Sequence, residues 1–297
     1  MVWPAPLRER ALVHVVAPSS PFEAVLAWRG LGWLSEHYRV RFDRDGLFQR
    51  TGYLAGSDAR RREELDAALA NPSVAAIIAA RGGYGANRFA HEVRWDALRE
   101  NPKWIVGFSD VTALHLEAAR VGVASIHGCH VTSLGRSDAR ARESLRRVLE
   151  APAAERRFER LQIVVPGEAE GVLYGGNVAL LQACAAAGRL HVPAGAVLFL
   201  EDVTERPYRI DRMLTTLRVG GHLDRIAAIA LGEFTECTPG PDRVRVEDVI
   251  AERLGDLGVP IVSGLPCGHG RINEPLVLGA RARIGTSSDG GVLVLGR

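Results

Sequence analysis

The chain has 297 residues, of which 47% are hydrophobic and 24% charged, and a net charge of +2 at pH 7. That length favours two domains over a single core, and the near-even charge, with no basic block interleaved with aromatics, excludes nucleic acid as an expected partner. Cys129, Cys184, Cys237 and Cys267 are far apart, lack C-x-x-C spacing and read as reduced thiols rather than a disulfide framework or zinc knuckle. No apolar run is long enough to span a bilayer. The first ten residues carry prolines and charges where a signal peptide would have an apolar segment, so no membrane partner is expected and the cytoplasm is the expected compartment.

In chain order, residues 11–17 read as a buried strand stopped by Pro18-Ser19-Ser20-Pro21. A helix is expected over 22–37 and a weaker strand over 38–42. Ser57 is placed to cap a charged helix over 58–70, which Asn71-Pro72 closes. Residues 74–79 form an apolar strand running into the glycine-rich Arg81-Gly82-Gly83-Tyr84-Gly85. Residues 104–107 are again strand-like, and helical spacing starts at Asp110; a strand over 124–127 follows. Strands that alternate with helices and are apolar throughout imply a parallel sheet covered on both faces. This first α/β domain is expected to cover 1–135, with a crossing segment over 136–170 that includes a charged helix at 138–150. A second α/β domain with more mixed strands is expected over 171–297. Its strands are read at 171–174, 196–202, 226–231 and 260–265, its helices at 177–188, 207–219 and 246–257. The tail reads as a hairpin of 277–284 and 291–295.

Ser109 stands where the strand at 104–107 gives way to a helix. A serine there is pushed out at the carboxyl edge of a sheet with the next N–H beside it, the mechanical arrangement of a nucleophile elbow, although Val111 occupies the last position of the usual G-x-S-x-G spelling. The plain alternative is a serine that caps the helix. A nucleophilic serine needs a base, an acid to orient it, and N–H donors for the oxyanion. Glu201, ending the apolar run Val197-Leu198-Phe199-Leu200, is the best acid, with Asp202 beside it a better candidate for a cap. His269, between Gly268 and Gly270, and His127 both follow strands, and spacing does not choose between them. The Arg81–Gly85 loop can turn successive N–H groups toward an anion, though neither a dinucleotide fingerprint nor a P-loop lysine is present. His127, Cys129 and His130 place metal-ligand types close together, but neighbours on an extended segment point to opposite faces, so no metal is expected there.

Several stretches, in order and spacing, together resemble the LD-carboxypeptidases, serine peptidases of the murein tetrapeptide carboxypeptidase and microcin-C immunity type. They are Ala17-Pro18-Ser19-Ser20, Tyr53-Leu54-Ala55-Gly56, Arg81-Gly82-Gly83-Tyr84-Gly85, Gly107-Phe108-Ser109-Asp110-Val111-Thr112-Ala113-Leu114, Tyr174-Gly175-Gly176-Asn177, Leu198-Phe199-Leu200-Glu201-Asp202, Pro207-Tyr208-Arg209-Ile210-Asp211-Arg212, and Gly268-His269-Gly270 with Asn273 and Pro275. The resemblance implies Ser109 as nucleophile, His269 as general base and acid, Glu201 as its orienting acid, and the N–H groups of Gly83 and Asp110 as the oxyanion hole. It implies a flavodoxin-like N-terminal domain, a C-terminal domain with a swivelling β/β/α core, a site between them, a homodimer, a small-peptide substrate, and no metal or cofactor. Cys129 and Cys267 depart from the family pattern and bear on pocket shape. The expected reaction is release of C-terminal D-alanine from murein tetrapeptide in cell-wall recycling. The alternatives are an immunity-type hydrolase of peptidyl or aminoacyl nucleotides and a non-catalytic muropeptide-binding protein. The intact triad argues against the last, and the 207–212 segment looks more like the murein enzymes than the immunity type.

Overall fold

A computed structural model describes residues 1–297. The chain forms two compact units, Met1–Pro152 with Glu274–Val277, and Ala153–Asn273 with Leu278–Arg297.

The first unit begins β1 (Leu12–Val16), α1 (Ala24–His37), β2 (Arg39–Arg41), α2 (Asp58–Ala70), β3 (Val74–Ala79), α3 (Asp96–Glu100), β4 (Trp104–Gly107), α4 (Thr112–Arg120) and β5 (Ser125–His127). These five strands are parallel and stand in the order 2-1-3-4-5, the flavodoxin-like order, in which the carboxyl ends of the strands open on the ligand side. The central strands are buried on both faces: every residue of β4 is buried, and Ala76, Ile77 and Ile78 of β3 are at most 1% exposed. This is why their sequences run apolar without alternation. Ser57 caps α2 by accepting from the Arg60 N–H, as its spacing predicts. The short helix α5 (Val131–Arg136) and α6 (Ala139–Glu150) complete this part of the chain.

The expected break at 135 lies too early. Helix α6 belongs to the first unit, because its Leu145, Val148 and Leu149 are buried, the Leu7 N–H bonds the Leu149 carbonyl at 2.8 Å, and Tyr38 donates to Glu150 at 3.2 Å. The units part after Pro152, so the segment 136–170 is divided: its helix serves the first unit and its strand the second.

The second unit runs β6 (Arg156–Val165), β7 (Ala169–Asn177), α7 (Val178–Ala186), β8 (Val197–Val203), α8 (Pro207–Val219), β9 (Ala228–Thr235), α9 (Val246–Leu254) and β10 (Ile261–Ser263). Leu276–Leu278 (β11) then joins the first unit's sheet beside β5, and β12 (Arg281–Ser287) with β13 (Gly290–Gly296) ends the chain. Seven strands close into a barrel in the order β10-β6-β13-β12-β7-β8-β9. β7, β8, β9 and β10 pair in parallel, and β7–β12, β12–β13, β13–β6 and β6–β10 are antiparallel. The architecture is the expected α/β pair: a parallel sheet and a mixed second domain. One strand differs. The apolar run from 277 to 284 is not a single hairpin arm, because Gly279, at φ +95°, breaks it into β11 and β12, a backbone region open to glycine at little cost. No helix is long and apolar enough to cross a membrane.

Candidate active site

In the first unit, β4 delivers its chain to an abrupt turn. Phe108 is extended, Ser109 has φ +64°, and a single 3-10 turn (Ser109–Val111) leads into α4. A non-glycine residue held left-handed is strained by about 1 kcal/mol or more and persists only where its surroundings over-determine it. Here they do. The Val111 N–H bonds the Phe108 carbonyl at 3.3 Å, and a β-carbon at Gly107 would meet the Val111 side chain at 2.8 Å. From α4, His115 Nε2 lies 2.9 Å from the Gly107 carbonyl. Burial lowers the His115 pKa to about 3, against the raising effect of that carbonyl, so the ring is neutral and donates from Nε2. The cap position of α4 is Val111 and not Ser109; the serine is the corner of an elbow.

The loop after β3 lies against this corner. A β-carbon at Gly82 would stand 3.0 Å from Ser109 Cβ and 3.3 Å from its Oγ. The loop is tied to the one after β1: the Ser20 N–H bonds the Gly82 carbonyl at 3.2 Å, and the Tyr84 N–H bonds Ser20 Oγ at 3.0 Å. Gly83 adopts φ +102°, and a side chain there would collide with Ser20 Oγ at 2.6 Å. Asp110 points inward, is fully buried, and accepts from the Ala86 N–H at 2.7 Å. Tyr53 and Tyr84, both exposed, pack their rings 5.7 Å apart.

Two other histidines of this unit, His127 and His130, are occupied in packing. His130 stacks on Phe108 with centroids 4.7 Å apart and caps α5, its Nδ1 accepting from the Ser133 N–H at 3.2 Å. His127 is buried, with its ring 5.9 Å from that of Phe108. Burial raises the Cys129 thiol to about 11, and its Sγ lies 3.9 Å from Ser137 Oγ. No three His, Cys, Asp or Glu side chains are grouped to hold a metal ion.

In the second unit, β8 carries Glu201 and Asp202 near its end, where its register with β9 shifts, and the two side chains meet different partners. Glu201, with no exposed side-chain surface, reaches His269 Nδ1 with its Oε2 at 2.7 Å, and the imidazole is 17% exposed. An ionised carboxylate only accepts, so this contact assigns the ring proton to Nδ1 and leaves Nε2 as the basic nitrogen. Asp202 instead accepts from the N–H groups of Ala179 (2.9 Å) and Val203 (2.8 Å) and from Asn177 Nδ2 (3.1 Å). Burial raises its pKa to about 7.

The loop bearing His269 is built around Glu201. Gly268 has φ +131°, and a β-carbon there would stand 2.9 Å from Glu201 Oε2. Its N–H is held by Asn273 Oδ1 at 3.1 Å. Cys267, buried, accepts from the Glu233 N–H through its carbonyl at 2.9 Å. Sequence reasoning passed over Glu233. Burial, then the nearby Glu201, raises its pKa against hydrogen bonds from Thr235 and the Gly270 N–H. The signal that could have found it is the one that found Glu201: an acid closing a buried strand, here just beyond Ala230-Leu231-Gly232 of β9.

The structure thus brings Glu201 and His269 together in one unit and sets Ser109, Gly83 and Asp110 around one corner of the other. An imidazole oriented by a buried carboxylate can take and return a proton, and a strained, half-buried serine beside a glycine loop can present a nucleophilic oxygen.

Comparison with known proteins agrees with the sequence resemblance. The LD-carboxypeptidase N-terminal domain matches residues 13–128 and the LD-carboxypeptidase C-terminal domain residues 170–284. A carboxypeptidase-named protein of Synechocystis sp. is 39% identical over 98% of this chain and 96% of its own. The murein tetrapeptide carboxypeptidase of Pseudomonas aeruginosa is 35% identical over 78% of this chain and 80% of its own. The microcin C7 self-immunity protein of Escherichia coli is 24% identical over 78% of this chain and 77% of its own. The crystal structure of muramoyltetrapeptide carboxypeptidase from Oxalobacter formigenes superposes with a TM-score of 0.86 at 27% identity, covering 96% of this chain and 99% of that one. The chain belongs to the LD-carboxypeptidase family.

Proposed function

We propose that this protein is a serine carboxypeptidase that hydrolyses the L,D bond before the C-terminal D-alanine of murein tetrapeptide. The observation that carries the reading is the 2.7 Å contact between buried Glu201 and His269 Nδ1, which leaves Nε2 free of the ring proton and ready to act as a base. In the proposed reaction Ser109 Oγ attacks the scissile carbonyl while His269 Nε2 removes its proton. The N–H groups of Gly83 and Asp110 stabilise the oxyanion. His269 then protonates the departing D-alanine amine, and a water deacylates the serine by the same route. Glu201 keeps the imidazole in its working tautomer and stabilises the imidazolium.

A second reading, hydrolysis of a peptidyl or aminoacyl nucleotide, has support from the likeness to the microcin C7 self-immunity protein. The identities favour the murein reading, at 35% to the Pseudomonas enzyme against 24%. Purified protein incubated with murein tetrapeptide and, separately, with an aminoacyl-sulfamoyl adenosine, both followed by mass spectrometry, decides between them; release of D-alanine is expected, and turnover of the nucleotide alone overturns the murein reading. Ser109→Ala should lower kcat by ~10⁴-fold or more, equivalent to ~5 kcal/mol of transition-state stabilisation. His269→Ala should cost about as much, and the double variant scarcely more, because the residues act as a unit. Glu201→Gln should cost less than either. Losses that multiply in the double variant would defeat the triad.

A further inference from the structure

Asp110 offers its N–H to the proposed oxyanion, and its carboxylate turns the other way, into the protein. That carboxylate is fully buried and receives the Ala86 N–H on Oδ2 at 2.7 Å. Burial raises its pKa, against the nearby Ser19 side chain, the Ala86 and Gly85 N–H groups and the charge of Arg61. Arg61, itself without exposed surface, is part of the same knot. Its Nη1 donates to the Pro18 carbonyl, its Nη2 pairs with Asp58, and its guanidinium lies 4.9 Å over the Phe89 ring. Gly85, at φ +128°, packs directly on it: a β-carbon there would stand 2.6 Å from Arg61 Nη1. Three loops, those after β1, β3 and β4, therefore meet on one buried acid. The middle one carries Gly82 against Ser109 Oγ.

An unpaired carboxylate in that position would be costly. A buried carboxyl is tolerated where a hydrogen bond holds it, and here that bond comes from the backbone of the glycine loop itself. The carboxyl thus fastens the end of the loop at the Gly85–Ala86 peptide, through the Ala86 N–H three residues beyond Gly83. With its start held at Ser20 and its end at Asp110, the loop has little freedom to carry the Gly83 N–H away from the serine.

We propose that the Asp110 side chain is a positioning residue: by holding the Gly85–Ala86 backbone it sets the place of the Gly83 N–H relative to Ser109, and so controls the rate of acyl transfer without touching substrate. The proposal deepens the serine-peptidase reading and rests on it for its rate effect, whereas its structural half stands without it.

The test uses the full-length protein and Asp110→Asn, which keeps the backbone N–H and the size of the side chain but replaces one carboxyl oxygen by an NH2 group that cannot accept. Misplacement of about 1 Å costs about 10²-fold in rate, so kcat on murein tetrapeptide should fall about 10- to 100-fold with KM changed less than about threefold. Phosphonylation of Ser109 by a fluorophosphonate should slow in parallel. Hydrogen exchange of the peptide spanning residues 82–87 should quicken by about tenfold while the α1 and α6 amides keep their protection. Ser19→Ala, which removes a buried hydroxyl beside the same carboxyl, should move all three readouts in the same direction by less, and serves if Asp110→Asn does not fold. Unchanged exchange at 82–87 overturns the clamp. Faster exchange with kcat and phosphonylation intact overturns its link to catalysis, and a slower rate without faster exchange assigns the effect elsewhere and overturns the proposal equally. If the wild-type protein turns over no tetrapeptide, the peptidase reading fails by itself. Exchange and phosphonylation then still decide whether Asp110 holds the loop at Ser109.

Discussion

At position 268 the lack of a side chain is what lets Glu201 and His269 meet. A β-carbon there would crowd Glu201 Oε2 at 2.9 Å, and φ +131° suits glycine alone. Glu201 has no slack with which to retreat, since its side chain is fully buried at the end of β8. Gly268→Ala is therefore expected to separate Glu201 from His269, to lower kcat by about 10²-fold, and to lower stability by roughly 1–3 kcal/mol from backbone strain. Steady-state kinetics beside thermal melts check both. A variant that loses stability but keeps kcat would mean that the carboxylate does not need its present approach to the ring. The neighbouring acids show how local such distinctions are. Glu201 and Asp202 are adjacent and chemically alike, yet Glu201 meets the His269 ring and Asp202 the first turn of α7.

Asp202 acts at the level of an element. With Asn177, whose side chain accepts from the Leu180 N–H, it satisfies the first turn of α7 and links that helix to β8, the strand after it. Its three hydrogen bonds keep a buried acid in place although its pKa is raised to about 7. Asp202→Ala should lower the unfolding free energy by about 2 kcal/mol, the loss of a cap together with orphaned buried donors, and kcat should fall far less than in Gly268→Ala. Urea titration with parallel kinetics measures this. A stability loss below about 0.5 kcal/mol would mean that water replaces the carboxylate at the helix end without penalty. The elements of the first unit obey the same economy: α2 starts on the expected cap, Ser57, and α6 on Asp138, each accepting from the N–H three residues on, because a cap is a local interaction and its spelling is visible in the sequence.

Across the whole molecule, buried titratable groups pull stability in opposite directions as pH changes. Burial lowers His115 to about 3 and His14 to about 4, both from 6.5. Below 6.5 the unfolded chain binds protons that these rings refuse, so their contribution to stability is lost as pH falls from 6.5 toward 4. Asp202 works the other way, since the folded chain holds its proton between 3.8 and about 7. His115→Gln, which can still donate to the Gly107 carbonyl, should therefore gain on the wild type as pH falls from 6.5 to 4.5, by about 1.4 kcal/mol per pH unit. Urea midpoints at three pH values read the difference, and parallel curves would mean that His115 is not held neutral. What the sequence by itself determined was local or cumulative: the alternation of strand and helix, the elbow at Ser109, the glycine loop, the caps, and, through many matched stretches together, the family. Hydrophobic period and turn chemistry act over a few residues, so they can be read without knowing what lies across the fold. Tertiary structure alone decided what depends on distant partners. It seated α6 with the first unit through Leu7 and Tyr38, sent β11 to one sheet and β12 to another across Gly279 and Ala280, and closed seven strands into a barrel. Without the family resemblance, residue spacing left His269 and His127 equal; the fold separates them because His269 meets Glu201 across 68 residues of chain, while His127 is packed on Phe108. A contact of that range is set by strand order and register, which no local pattern encodes.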